Sequence, residues 1–181
     1  WAEESDLILE VADGFQKTHE LALGWLETDQ QAHTAAALLE QPHVLGFDPD
    51  YLAGTGALGI MAPSSTDEYP PFKANYEASV EEAYTAYLRQ RESRGEYGMQ
   101  NFGDTTFSWG WGPSYIFWSN QEYDHHYGFL MQYLRSGDVR FWQIGDQAAR
   151  HYRDVDVIHH STNPLIMGAP RSHNTKHVVA D

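Results

Sequence analysis

The sequence predicts an α+β chain in which strands come first and helices follow. Three observations carry this. Residues 15–26 put Phe15, His19, Leu21, Leu23 and Trp25 on one face at a period of two, the mark of a strand. Residues 41–71 then lose all periodicity and hold Pro42, Pro49, Pro63, Pro70 and Pro71 among several glycines. From Phe72 onward apolar residues recur every three to four positions, as in amphipathic helices.

Taken in order, residues 5–11 and 15–26 read as two strands hinged at Asp13-Gly14. Asp29 is the expected N-cap of a short helix through Glu40 carrying Ala32, Ala36 and Leu39. The Pro-rich stretch reads as an irregular connector wrapped on a surface. A clear helix is expected over 72–93, burying Phe72, Tyr76, Val80, Ala83, Tyr84, Tyr87 and Leu88. A loop rich in glycine and aromatics follows, from Gly95 through Trp109, Trp111 and Tyr115. Exposed aromatics beside carboxylates suit stacking on sugar rings, and the same residues equally suit packing of a tight turn.

Residues 118–160 predict two helices joined by a very short turn. Gly137 fits the left-handed position that ends one, and Asp138 can cap the next. So short a link makes the pair an antiparallel hairpin. Tyr123, Tyr127, Leu130 and Leu134 form one stripe, while Phe141, Ile144, Ala148, Tyr152 and Val155 form the other. Reversal at Gly137 puts the start of the first helix beside the end of the second. Asn120, Tyr123, Asp124, His125 and His126 are thereby expected near Asp154, Asp156, His159 and His160, with room for a cleft. Residues 168–181 show no regular pattern.

Composition narrows the function. The chain has 181 residues, 41% of them hydrophobic and 14% aromatic, enough for a core. It has no cysteine, which excludes disulfides, thiolate metal sites and cysteine nucleophiles. No apolar run approaches the roughly 20 residues of a membrane span. The net charge of −15 is uneven: residues 1–70 hold thirteen acids against Lys17 alone. A nucleic-acid binder would carry a basic field, so that class is disfavoured. The chain opens at Trp1 and shows no signal peptide, so it is taken as a processed or trimmed product.

Acid–base chemistry is the best supplied. Asn120, Tyr123, His126, His160, Arg171, His173 and His177 combine titratable groups with Asn and Arg that can neutralise a carboxylate. That is the equipment for β-elimination on a uronic-acid polymer, where the C5 proton becomes acidic once the adjacent carboxylate is neutralised. Hydrolysis is the rival and needs two carboxylates, for which Asp104, Glu122 and Asp124 are the candidates. The pairs His125-His126 and His159-His160, and His173 with His177, have imidazoles that suit a metal, but only the last pair has helical i, i+4 spacing. A divalent cation such as Ca²⁺ at Asp154 and Asp156 stays open against helix-end bonding to backbone.

Four segments carry a resemblance: residues 95–104, Asn120-Gln121-Glu122-Tyr123-Asp124, Tyr133-Leu134-Arg135-Ser136-Gly137-Asp138 and Ala149-Arg150-His151-Tyr152-Arg153-Asp154-Val155-Asp156. These resemble rhamnogalacturonan exolyase-like proteins, most closely over residues 90–160. The resemblance implies an α/α toroid of the six-hairpin type with accompanying β-sandwich domains, and helix-hairpin ends that line a substrate cleft. Residues 1–70 would be the end of a β-rich domain with its connector, and 71–181 the first part of the toroid. It implies a secreted or periplasmic enzyme acting on acidic polysaccharide, partnered by the remainder of its own toroid. The residue chemistry and the hairpin geometry, rather than the resemblance, make Tyr123, His126, Asn120, His160 and Arg171 the expected catalytic set. Asp104, Trp109, Trp111, Asp124, His125, His173 and His177 are expected to bind substrate. A six-hairpin glycoside hydrolase and a non-catalytic glycan-binding piece stay open beside the lyase.

Overall fold

The computed structural model describes residues 14–40, 42–68, 70–107 and 117–171. The strand expected at 5–11, the aromatics Trp109, Trp111 and Tyr115, and His173 and His177 lie outside these residues. The described chain is mostly helical. In order it forms α1 (Asp29–Glu40), α2 (Pro49–Gly54), α3 (Pro70–Arg94), β1 (Thr106–Phe107), β2 (Phe117–Trp118), α4 (His125–Ser136) and α5 (Val139–His151). A π-helical turn, Tyr152–Asp156, continues α5, and a 3-10 turn follows at Pro164–Ile166.

The centre is the α4–α5 hairpin. Gly137 ends α4 with φ of 71°, and its N–H donates to the Tyr133 carbonyl. Asp138 then caps α5, its carboxylate accepting from the Arg140 N–H. Gly145 lets the two helices touch: a Cβ there would meet Leu130 Cδ2 and Cγ at 2.9 Å. Tyr133, Phe141 and Ile144 form the buried nucleus, with Val80, Tyr84, Tyr87 and Leu88 of α3 packed on it. Tyr84 meets Phe141 edge-on at 5.5 Å. Phe72, Tyr76 and Ala83, expected on the buried side of α3, are exposed; the first two precede Val80, where the packed stripe begins.

Paired charges bind α3 to the hairpin along the same face. Arg135 makes a two-pronged bond to Glu77, at 3.1 and 2.5 Å. Arg140 grips Glu81 with two bonds of 3.0 Å. Arg91 is buried between the rings of Tyr87 and Phe102, each 4.7 Å away, and donates to Gln147 Oε1 at 2.9 Å. Planar guanidinium groups suit such forked and stacked contacts.

The connector does wrap a surface, and the surface is the hairpin. Val44 and Phe47 pack on the nucleus, the Tyr133 hydroxyl donates to the Leu45 carbonyl at 2.6 Å, and Pro49 approaches Gly137. α1 begins at Asp29 itself, and its cap is Thr28, one residue before the expected one. Thr28 Oγ1 accepts from the Gln31 N–H while Gln31 Oε1 accepts from the Thr28 N–H, a reciprocal capping box.

The strand expected over 15–26 does not form. A period of two marks a strand only where a neighbour completes its ladder, and this segment pairs instead with a helix end. Gln16 N–H donates to the Asp154 carbonyl, and Glu20 pairs with Arg150 at 3.0 Å. Beyond it, Leu21, Leu23 and Trp25 are exposed. The sheet among the described residues is the short antiparallel pair β1–β2, with Thr106 opposite Trp118. No described helix is long and apolar enough to cross a membrane.

Candidate functional site

The turn that leads into α4 holds the described non-glycine residues with positive φ. Asn120, Gln121 and Asp124 have φ of 48°, 55° and 52°, left-handed values that disfavour residues with a Cβ. Buried contacts hold them there. Asp104 Oδ2 accepts the Asn120 N–H at 3.0 Å, and the Gln121 amide donates to the Gly103 carbonyl at 2.9 Å. Gln121 Oε1 in turn accepts the His126 N–H at 3.3 Å. Gly103 presses its own backbone on α5, where a Cβ would meet the Gln147 carbonyl carbon at 2.9 Å.

This turn delivers a ring cluster to the surface. Tyr123 is 55% exposed and stands edge-on to Phe107, with centroids 6.0 Å apart. Phe107 stacks across the β1–β2 pair on Phe117, also at 6.0 Å. The His125 ring lies 6.3 Å from Tyr123, and its Nδ1 is 3.4 Å from Ser119 Oγ. Burial and the neighbouring His126 lower the pKa of His125 against a weaker pull from Asp124, so its imidazole is neutral near pH 7. His126 stacks flat on Tyr152 at 5.0 Å, which joins the start of α4 to the end of α5.

Beneath the turn lies a buried ionic cluster. His151 Nε2 is 3.2 Å from Asp156 Oδ1 and 3.8 Å from Asp104 Oδ2, and all three side chains are fully enclosed. His151 Nδ1 is 3.2 Å from the Phe102 carbonyl oxygen. Burial pushes Asp104 up to about 7 against the opposing pull of His151. Burial would lower His151, but the bond to Asp156 and both carboxylate charges outweigh it and raise the imidazole. Asp156 is also raised by burial, and His151, Arg171 and His126 oppose that shift.

The expected site residues therefore separate into two layers. Tyr123 and Asp124 are exposed, and His125 and His126 are partly so. Asp104, Asn120 and Arg171 are internal. Arg171 donates from Nε to the Val155 carbonyl at 2.9 Å and lays its guanidinium 4.5 Å from the Phe15 ring. His160 is exposed beside the Gly14 backbone, and His159 is held by the Arg153 carbonyl at 2.5 Å. Asp154, weighed for Ca²⁺, spends its carboxylate on the Thr18 N–H, the Thr18 hydroxyl and Arg153. Among the described residues no group of three or more His, Asp or Glu is arranged to hold a metal.

His151 escaped the sequence reading. It extends the buried stripe of Phe141, Ile144 and Ala148 by one more step of three, and a histidine at such a position needs polar company. That spacing was the available signal.

A helical hairpin crossed by a long helix, with a loop-built polar site at the hairpin's open end, defines the class: a helical-hairpin domain. The comparison with known families is specific. Residues 42–179 match the PcRGLX-like protein C-terminal alpha/alpha toroid domain, and the chain belongs to that family. The family is rhamnogalacturonan lyase-like and points to a carbohydrate-active function. The chain is also 23% identical over 156 residues to the uncharacterized protein YetA of Bacillus subtilis (strain 168). That alignment covers 81% of this chain and 18% of the relative's length.

Proposed function

We propose that this chain is part of the catalytic toroid of a polysaccharide lyase. In this reading the enzyme cleaves a uronic-acid-containing, rhamnogalacturonan-like polymer by β-elimination. Residues 42–181, the Pro-rich connector included, begin a six-hairpin toroid, and the residues before 42 end a preceding domain. The parent protein is secreted or periplasmic, where such polymers are met. The observation that carries the reading is the exposed Tyr123 beside a neutral His125 and a stacked His126, at a hairpin end of a family toroid.

The chemistry divides between these groups. An imidazole, His125 or its neighbour His126, takes the C5 proton. The C5–H electrons form the new double bond as the glycosidic C–O bond breaks. The Tyr123 phenol protonates the departing oxygen. Neutralisation of the uronate carboxylate falls to the start of α4, whose N-terminal N–H groups carry positive character, and which the Asp124 side chain leaves uncapped. Asn120 and Arg171 support this wall from inside. Phe107 and Phe117 offer faces on which sugar rings can stack.

Burial of Asp104 weakens the hydrolase alternative. That mechanism needs two carboxylates that reach the bond, and Asp104 is 1% exposed with its oxygens committed to Asn120 and Gln121. The test is near-ultraviolet absorbance during incubation of the parent protein with a panel of acidic polysaccharides. A rise that falls at least about a hundredfold in Tyr123→Phe and in a His125→Ala, His126→Ala double variant supports the reading. A rise that these variants leave intact moves the reacting groups elsewhere in the toroid.

A further inference from the structure

The buried cluster beneath the turn holds a proton whose location follows from geometry. His151 Nδ1 faces the Phe102 carbonyl, which can only accept, so Nδ1 carries hydrogen. Nε2 faces two carboxylates, at 3.2 Å and 3.8 Å, so a second proton must lie between them and the ring. Two buried like charges would otherwise confront a lone pair. With an imidazolium at His151 and the guanidinium of Arg171 acting on Asp156, two positive charges meet two negative ones and the enclosed region is neutral overall.

We propose that His151 is a positioning residue, an imidazolium clamped by Asp104 and Asp156 that fixes the Asp104 carboxylate holding the left-handed turn of Tyr123 and His125. The proposal rests on the reading of that turn as the reacting site. Its mechanical content is a chain of contacts. His151 fixes Asp104, Asp104 accepts the Asn120 N–H, and Asn120 with Gln121 sets the left-handed path that ends at Tyr123 and opens α4. Gln121 closes the chain by receiving the His126 N–H.

Of the other charged groups nearby, His126 of α4 and Arg171 act on Asp156, and Tyr87 of α3 feels Asp104 together with its own neighbours Arg91 and Glu96. Tyr87 is kept neutral by burial. As pH rises and the shared proton leaves, two carboxylates face Arg171 with no imidazolium between them. Asp104 is then repelled by Asp156 and loosens its hold on Asn120.

Nitrogen-15 and proton NMR of the intact, isotopically labelled protein tests this without reference to activity. The expected result is a His151 ring protonated at both nitrogens at neutral pH while the His125 ring is neutral. The Asn120 amide should shift in the same pH step as His151. A His151 ring with bare Nε2 at neutral pH, or an Asn120 amide that ignores the His151 step, overturns the proposal. If the parent protein eliminates, His151→Gln should lower kcat about tenfold or more, leave KM within about twofold and move the alkaline limb of the pH profile. An unmoved limb overturns the proposal while the lyase reading stands. Absence of elimination removes the lyase reading and leaves the NMR result to decide the clamp.

Discussion

At the scale of single residues, the hairpin depends on a missing side chain. Gly145 sits where α5 crosses α4, and a methyl there meets the Leu130 side chain at 2.9 Å and the Leu130 backbone nitrogen at 3.2 Å. The leucine tip can swing away, but the backbone nitrogen cannot. Gly145→Ala is therefore expected to lower stability by about 1–3 kcal/mol despite its better helix propensity, measured by denaturant unfolding. The buried ionic residues set a second expectation. His151, Asp104 and Asp156 all have folded pKa values above their unfolded ones, so the folded state holds protons that the unfolded chain releases. Their contribution is greatest at low pH and fades as pH rises, for Asp104 between 3.8 and about 7. Asp154 has the opposite sign, being lowered because Arg153 and Thr18 outweigh burial, and its contribution is lost on acidification. Melting temperature should peak on the acid side of neutrality, and Asp104→Asn should flatten the decline from pH 4 to 7. A profile unchanged by that substitution would contradict the assignment. These residues were hard to read from sequence. Asp104 reads in sequence as one of three candidate carboxylates, and only its packing against Asn120, His151 and Asp156 shows it to be the centre of a cluster.

At the scale of elements, what proved legible was what local rules decide. The α4–α5 reversal is written in Gly137 and Asp138, since each satisfies a backbone need of its own helix end. Asp138 also bonds the Arg140 guanidinium, by 2.7 Å at Nη2. Asp138→Ala should cost about 1 kcal/mol through loss of the cap, with Asp138→Asn retaining most of it. The helix over 72–93 was legible in its period, and the structure extends it only to Pro70–Arg94. The segment 15–26 was misread because alternation of apolar residues says nothing about whether a partner strand is present. Its near end instead caps the turn after α5 through Asp154. The entry to α4 was illegible for another reason. Left-handed backbone at Asn120 and Asp124 is common for these types, but Gln121 reaches it only under tertiary restraint from Gly103 and His126.

At the scale of the whole molecule, the family match over residues 42–179 agrees with a helical unit whose connector is already packed on its hairpin. The chain spans 18% of the length of the curated relative it matches. The candidate site was partly legible in the sequence. Reversal at Gly137 brought His126 to the end of α5, where it stacks on Tyr152, and exposed Tyr123 beside it. The division between exposed and internal members was not legible, because burial of Asp104, Asn120 and Arg171 is decided by contacts distant in sequence. The central claim is that Tyr123 and its neighbouring imidazoles serve elimination. The most direct measurement is the mass of the product released from an acidic polysaccharide by the parent protein. The account predicts a fragment with a new double bond, one water lighter than the hydrolytic fragment, and its loss in Tyr123→Phe. Saturated fragments of hydrolytic mass would contradict it.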